Sequence, residues 1–299
     1  MAGIPPRPYP GGKAPVPGWP GAVEGFDMSA LPLPRSRPAG PAAWHDDFAR
    51  DGFIVVPGLL SPSEVAQLLE HFMALHAGGP IPGCFHPVPP SETGGDILKA
   101  YPRMMHPHRV SATAKRYMLH PAVLAVLEAI LGEPPLAAQS MLYFKPPSAR
   151  GQALHQDDYY LKTSPGRCVA AWVALDPSDE GNGGMMVVPG TQDLPVLCPH
   201  EADPQRSFTR DEVDVPPGLE PVTVPLGAGD VLFFHGAVVH GSYPNTSRDR
   251  FRRAFICHYV PASTERISDW YNPLVRPDGR EARLPPNPWG GPCGEEHEL

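Results

Sequence analysis

Hydrophobic positions in this chain follow two rhythms, and the change between them falls near Pro134. Upstream, Val65, Leu68, Leu69, Phe72 and Leu75 recur at the three- and four-residue spacing of one helix face, behind a capping box of Ser61 and Glu64 that brackets Pro62. That stripe predicts core packing. A further helix is expected through HPAVLAVLEAILG, stopping at Gly132, and HDDFARDGF predicts a helical turn or two before a short strand FIVV. Downstream, short apolar or alternating runs bounded by Gly, Pro and Asp succeed one another: SMLYFKPP, ALHQDDYYL, RCVAAWVALD, GGMMVVPG, PVTVPLG, GDVLFFHG and RRAFICHYV. At least seven strands at this spacing predict an antiparallel sandwich or barrel.

The two ends lack either rhythm. Residues 1–41 hold 11 of the 43 prolines and predict an extended or disordered arm. A single domain is expected over 42–261, with a helical part at 42–135 and a β core at 138–261. Residues 262–299 return to Pro-rich sequence and predict an irregular extension wrapped over the surface.

Composition narrows the class. A chain of 299 residues with 41% hydrophobic and 19% charged residues can bury a sizeable core. The formal charge of −8 gives no footprint for a nucleic-acid or anionic-membrane partner, and no run of about 18 apolar residues suggests a membrane span. A small-molecule partner is the expectation. Five scattered cysteines without a C-x-x-C pair argue against a disulfide framework and favour a reducing, cytoplasmic setting; the start MAGIPPRPYPGG has no signal-peptide pattern.

Candidate chemistry lies in HQDDYY, where His155 and Asp157 are two apart. On a strand, residues two apart share a face, so both side chains can enter one cavity, while Asp158 should turn away to be solvated or hydrogen-bonded. A second copy, His45 and Asp47 in WHDDF, falls where a helix is expected, and residues two apart on a helix diverge. Two ligands hold a catalytic metal poorly. A third is offered by GDVLFFHGAVVHGSYPN, through either His235 or His240. Two imidazoles and a carboxylate with open positions form the facial triad of non-haem Fe(II) oxygenases. A zinc hydrolase would also use His and Asp, but no HExxH-like string is present.

Taken in order, MLYFKPP, HQDD, the tryptophan of AAWVALD, GNGGMMVVPGT, GDVLFFHGAVVHGS and FRRAFICHY resemble the phytanoyl-CoA dioxygenase family of Fe(II)- and 2-oxoglutarate-dependent oxygenases, over roughly residues 44–261. The resemblance implies a mainly β fold with flanking helices, a double-stranded β-helix or jelly roll. It implies iron ligands at His155, Asp157 and His240, with His235 dropping to second choice. It further implies a grip on the far carboxylate of 2-oxoglutarate by Arg252, chosen from Arg250, Arg252 and Arg253, with Ser242 as hydrogen-bonding companion. Trp172, Met141 and Lys99 match positions of the cosubstrate pocket. Fe(II), 2-oxoglutarate and O2 are the implied cofactors, with ascorbate as a supporting reductant. Hydroxylation of a C–H bond in a small organic substrate, an acyl-CoA or a natural-product intermediate, is the implied reaction. Asp157 favours it, since related halogenases replace this carboxylate with a small residue. The alternative is a non-catalytic metal-binding jelly roll. One departure is Gln192, where family members commonly carry histidine after PGT; the position is expected to be structural.

Overall fold

The computed structural model describes residues 40–287, so nearly all of the Pro-rich arm lies outside the described residues. Among the described residues five α-helices flank the strands: α1 (Pro41–Asp51), α2 (Pro62–Ala77), α3 (Ala112–Met118), α4 (Pro121–Leu131) and the single-turn α5 (Asp158–Leu161). The strands are β1 (Phe53–Val56), β2 (Met104–Met105), β3 (Pro135–Tyr143), β4 (Gln152–His155), β5 (Val169–Ala174), β6 (Met185–Val188) and β7 (His200–Glu201). They continue with β8 (Asp211–Glu212), β9 (Val222–Val224), β10 (Val231–His235), β11 (Val239–Ser242), β12 (Ala254–Pro261), β13 (Leu274–Val275) and β14 (Glu281–Ala282).

These strands form a jelly roll. The major sheet runs β1-β10-β5-β12-β3-β13-β14, with β2 also pairing β3, and the minor sheet runs β4-β11-β6-β9. The apolar runs of the sequence are nearly continuous because the major sheet is covered on both faces. On β12, Phe255, Cys257 and Tyr259 pack with Leu68, Phe72, Met118 and Leu127 of the helices. The alternate residues Ala254 and Ile256 point between the sheets, with Trp172, Met185, Leu232 and Phe234. One face thus anchors the helical layer. The other lines the interior in which the site is built.

The expected helix signals are present. The Ser61 side chain accepts the Glu64 N–H, the Glu64 carboxylate accepts the Ser61 N–H at 2.7 Å, and Gly132 ends α4 at a φ of 72°. These bonds from Ser61, reinforced by His120, draw the Glu64 carboxyl down to about 2.

Three expectations need correction. The strand beginning at Gln152 stops at His155, and Asp157 sits in helical geometry at the start of α5, because the chain turns there. The C-terminal extension is not simply a surface wrap: β13 pairs with β3, and Ile267, Tyr271 and Leu274 are buried. Two-residue strands are too short to show alternation in sequence. Finally, Cys84, Cys168 and Cys257 are free and buried, whereas Cys198 is disulfide-bonded, a pairing that scattered spacing does not reveal. No helix among the described residues is long and apolar enough to cross a membrane.

Candidate metal and anion site

His155, Asp157 and His240 meet at the end of the minor sheet. The antiparallel register of β4 and β11 sets His240 directly opposite His155, with ring centroids 4.2 Å apart. The turn into α5 then swings Asp157 back towards both. Its two carboxylate oxygens lie 3.6 Å from His155 Nε2 and 3.6 Å from His240 Nε2. One candidate ligand atom from each residue falls within 4.8 Å of the other two, and all three residues are buried.

The backbone fixes the chemistry of these imidazoles. His155 Nδ1 is 2.9 Å from the Ala153 carbonyl, and His240 Nδ1 is 2.9 Å from the Val238 carbonyl. Each Nδ1–H therefore donates backwards along its own strand, leaving the Nε2 lone pair for a metal. Burial, aided by His155, draws His240 down to about 4, so its imidazole is neutral at pH 7. Burial alone would push the Asp157 carboxyl up. The facing imidazoles of His258 and His240, with the hydrogen bond from His258, outweigh it and hold the carboxyl well below the usual range.

His258 is one residue that sequence reasoning missed. Its Nε2 donates to Asp157 Oδ2 at 2.9 Å, from an interior-facing position on β12, two residues beyond Ile256. The periodicity of FICHY could have revealed it, because His258 shares the even-numbered face with Ala254 and Ile256.

A second cluster is cationic. Arg250 pairs with Asp179 at 2.6 Å and Arg253 with Asp176 at 2.7 Å, so both neighbours of the expected arginine are engaged by carboxylates. Arg252 is different. It is buried, donates through Nε to the Gly183 carbonyl at 2.9 Å, stacks its guanidinium 5.1 Å from the Trp172 ring, and has no carboxylate partner. Its buried Nη1 has no hydrogen-bond partner at all. Burial draws it down to about 10, still protonated at neutral pH.

Lys145, also buried, extends this cluster. Its Nζ donates to Ser242 Oγ at 2.7 Å, and its carbonyl accepts the Arg252 N–H at 3.1 Å. Burial first, and then the Arg252 charge, pulls the Lys145 ammonium well below the ordinary lysine range. Gly183 lets the lysine stem pass: at a φ of +87°, a Cβ there would lie 2.5 Å from Lys145 Cε. Gly241, between His240 and Ser242, serves the metal side in the same manner, since a Cβ there would lie 2.8 Å from the Gln152 carbonyl of β4.

Trp172, Met141 and Arg252 line a cavity of about 460 Å³ that also reaches His155, Asp157, His240 and His258. Lys99, Lys145 and Ser242 do not line it. Lys99 is exposed on a 3-10 turn, Ile97–Lys99, so the lysine bonded to Ser242 is Lys145 and not Lys99. His235 is half-buried at the end of β10, packs 6.1 Å from Phe48, and takes no part in the triad. His45 contacts Asp46, while Asp47 pairs with Arg50 at 2.9 Å, as the helical reading of WHDDF requires. Asp158 is hydrogen-bonded, to the Cys168 N–H at 2.9 Å, but buried and not solvated. Gln192 proves structural, donating to the Arg50 carbonyl at 3.0 Å.

The family profile of phytanoyl-CoA dioxygenase (PhyH) matches residues 48–254. The chain belongs to the phytanoyl-CoA dioxygenase family. Among its relatives, peroxisomal phytanoyl-CoA dioxygenase of Bos taurus is 33% identical over 162 residues, covering 51% of this chain and 47% of that protein. The human counterpart is 32% identical over 162 residues with the same coverage. The chain thus spans about half the length of these relatives. Solved structures share the fold. The epimerase SnoN, in complex with Fe3+, alpha ketoglutarate and nogalamycin RO, superposes with a TM-score of 0.59 at 28% identity, over 76% of this chain and 86% of its own. The carbocyclase SnoK shares the fold at 20% identity, with a TM-score of 0.59 over 85% of this chain and 92% of its own.

Proposed function

We propose that this protein is an Fe(II)- and 2-oxoglutarate-dependent oxygenase that hydroxylates a C–H bond of a small organic substrate, releasing succinate and CO2. One observation carries this reading: a metal-type His-Asp-His triad shares a cavity with a buried guanidinium that lacks any carboxylate. An unpaired buried charge is costly, and an anionic ligand of matching geometry removes the cost.

The donor set fits iron. Two imidazoles and one carboxylate converge from one side and leave the cavity side open. When bound, Fe(II) supplies the oxidation of substrate coupled to decarboxylation of 2-oxoglutarate by O2. The chain's own work is placement. His155 and His240 present Nε2 because their Nδ1–H groups are held by backbone carbonyls. His258 fixes Asp157 in its ionised orientation. Arg252 grips the far carboxylate of the cosubstrate, with Ser242 and Lys145 beside it, while Trp172 and Ile256 keep water from its stem. SnoN, which holds Fe3+ and alpha ketoglutarate, supports the same pairing of ligands in this fold.

The test is anaerobic titration of the purified protein with Fe(II) and 2-oxoglutarate, followed by succinate analysis after exposure to air with ascorbate. A metal-to-cosubstrate absorption band and oxygen-dependent succinate are expected. Cosubstrate that binds equally well without Fe(II), or no succinate formation, would remove the proposal.

A further inference from the structure

The entrance of the cavity carries chemistry that metal and cosubstrate do not use. Arg103 and Arg210 line it, both exposed, and neither has a carboxylate within ion-pair distance among the described residues. The one hydrogen bond of the Arg103 guanidinium goes to the Tyr143 hydroxyl at 3.2 Å. Asp211, which also lines the cavity, accepts instead from the Tyr160 hydroxyl at 2.9 Å. Around these cations the walls are flat and aromatic. The Tyr143 and Phe208 rings lie with centroids 5.9 Å apart and planes tilted by 50°, and Trp270, 51% exposed, borders the cavity beside Tyr271.

A large exposed tryptophan lining the same cavity as two unneutralised guanidiniums is the pairing expected for a flat ligand with an anionic edge. We propose that the substrate of this cavity is a planar, fused-ring aromatic carboxylic acid, its rings lying among Trp270, Phe208 and Tyr143 and its carboxylate on Arg103, with Arg210 adding to the attraction. The assignment rests on the oxygenase reading of the same cavity but concerns its opposite end. A straight acyl chain would leave the aromatic faces without a planar partner, and a neutral ring would leave the arginines unused.

Anthracene-2-carboxylate suits the test because its own emission reports binding. Its affinity would be measured by fluorescence anisotropy on the anaerobic Fe(II)–2-oxoglutarate protein, beside anthracene-2-carboxamide and decanoate as competitors. We expect the acid to bind at least tenfold more tightly than the amide, and decanoate to compete poorly. Arg103→Gln should remove most of the difference, and Arg210→Gln a smaller part, each leaving amide affinity within about twofold. Trp270→Ala should weaken acid and amide alike. Equal binding of acid and amide, or arginine variants that keep the full preference, would overturn the proposal. The visible band of the Fe(II)–2-oxoglutarate complex, recorded in the same samples, separates the two readings. If the band forms and the acid preference is absent, only the substrate class fails. If the preference is present without the band, only the oxygenase reading fails.

Discussion

The floor and the mouth of the cavity are made in different ways. At the floor, the functional side chains leave sheet strands or the segments directly joined to them: His155 on β4, His240 and Ser242 on β11, Trp172 on β5 and His258 on β12. Backbone bonds hold both triad imidazoles, and carbonyl or hydroxyl partners hold both buried cations. At the mouth, Arg103 precedes a two-residue strand, Phe208 and Arg210 precede another, and Trp270 sits in a 3-10 turn beyond the residues matched by the family profile. Groups that need sub-ångström placement stand on sheets, while recognition is left to segments that tolerate change. Two proteins could therefore share this floor and differ wholly in what they admit.

Breaking the floor should have the largest effect. Asp157→Ala or His240→Ala is expected to abolish Fe(II)-dependent succinate formation, while His45→Ala and His235→Ala retain it; an anaerobic iron-content measurement gives an independent reading. Arg252→Gln should weaken 2-oxoglutarate by roughly 10- to 100-fold, the worth of about 1.4–3 kcal/mol in charge-assisted hydrogen bonds, as read by the visible band. His258→Leu should cost about 10-fold or more in Fe(II) affinity, because Asp157 loses the partner that orients it, measured by competition with a chelator.

Lys145→Met is expected to cost about 10-fold in 2-oxoglutarate affinity, and it carries a pH signature. The free protein holds the Lys145 ammonium well below an ordinary lysine, and a bound carboxylate raises it again. Binding is then accompanied by proton uptake, so wild-type affinity falls as pH rises between those two values, and the methionine variant flattens that slope. Calorimetry in two buffers of different ionisation enthalpy checks it directly. Least of all, Trp270→Ala should leave 2-oxoglutarate affinity unaltered and shift stability by no more than about 0.5 kcal/mol, since the side chain is half exposed. A large loss at either readout would erase the contrast between floor and mouth.

How much of this was legible beforehand depends on the range of the interaction. The two His-x-Asp copies show the strength of local reading: residues two apart diverge on a helix, and WHDDF does lie within helix α1, while HQDD lies at a strand end. Even there, local spacing gives the wrong route. Asp157 reaches the triad through a helical turn, not by strand alternation, because α5 starts immediately after it. The choice among three adjacent arginines could not be read from spacing alone. Asp176 and Asp179, more than 70 residues away, engage Arg253 and Arg250 and leave Arg252 unengaged. Lys145 and Lys99 show the same limit. Both occur in plausible strings, and only the meeting of β11 with the segment after β3 brings Lys145 to Ser242. The mouth was least readable, since Trp270 and Tyr271 come from an extension without periodicity.

Gly241 gives the cavity floor its tolerance limit. A methyl group there would press into the Gln152 carbonyl of the neighbouring strand, between the rung that sets His240 opposite His155 and the one that sets Ser242 opposite Gln152. Relief would come by prying those two strands apart, and the imidazoles would separate with them. The gauge of the metal nest is thus set by a hydrogen atom standing where any other amino acid would place carbon.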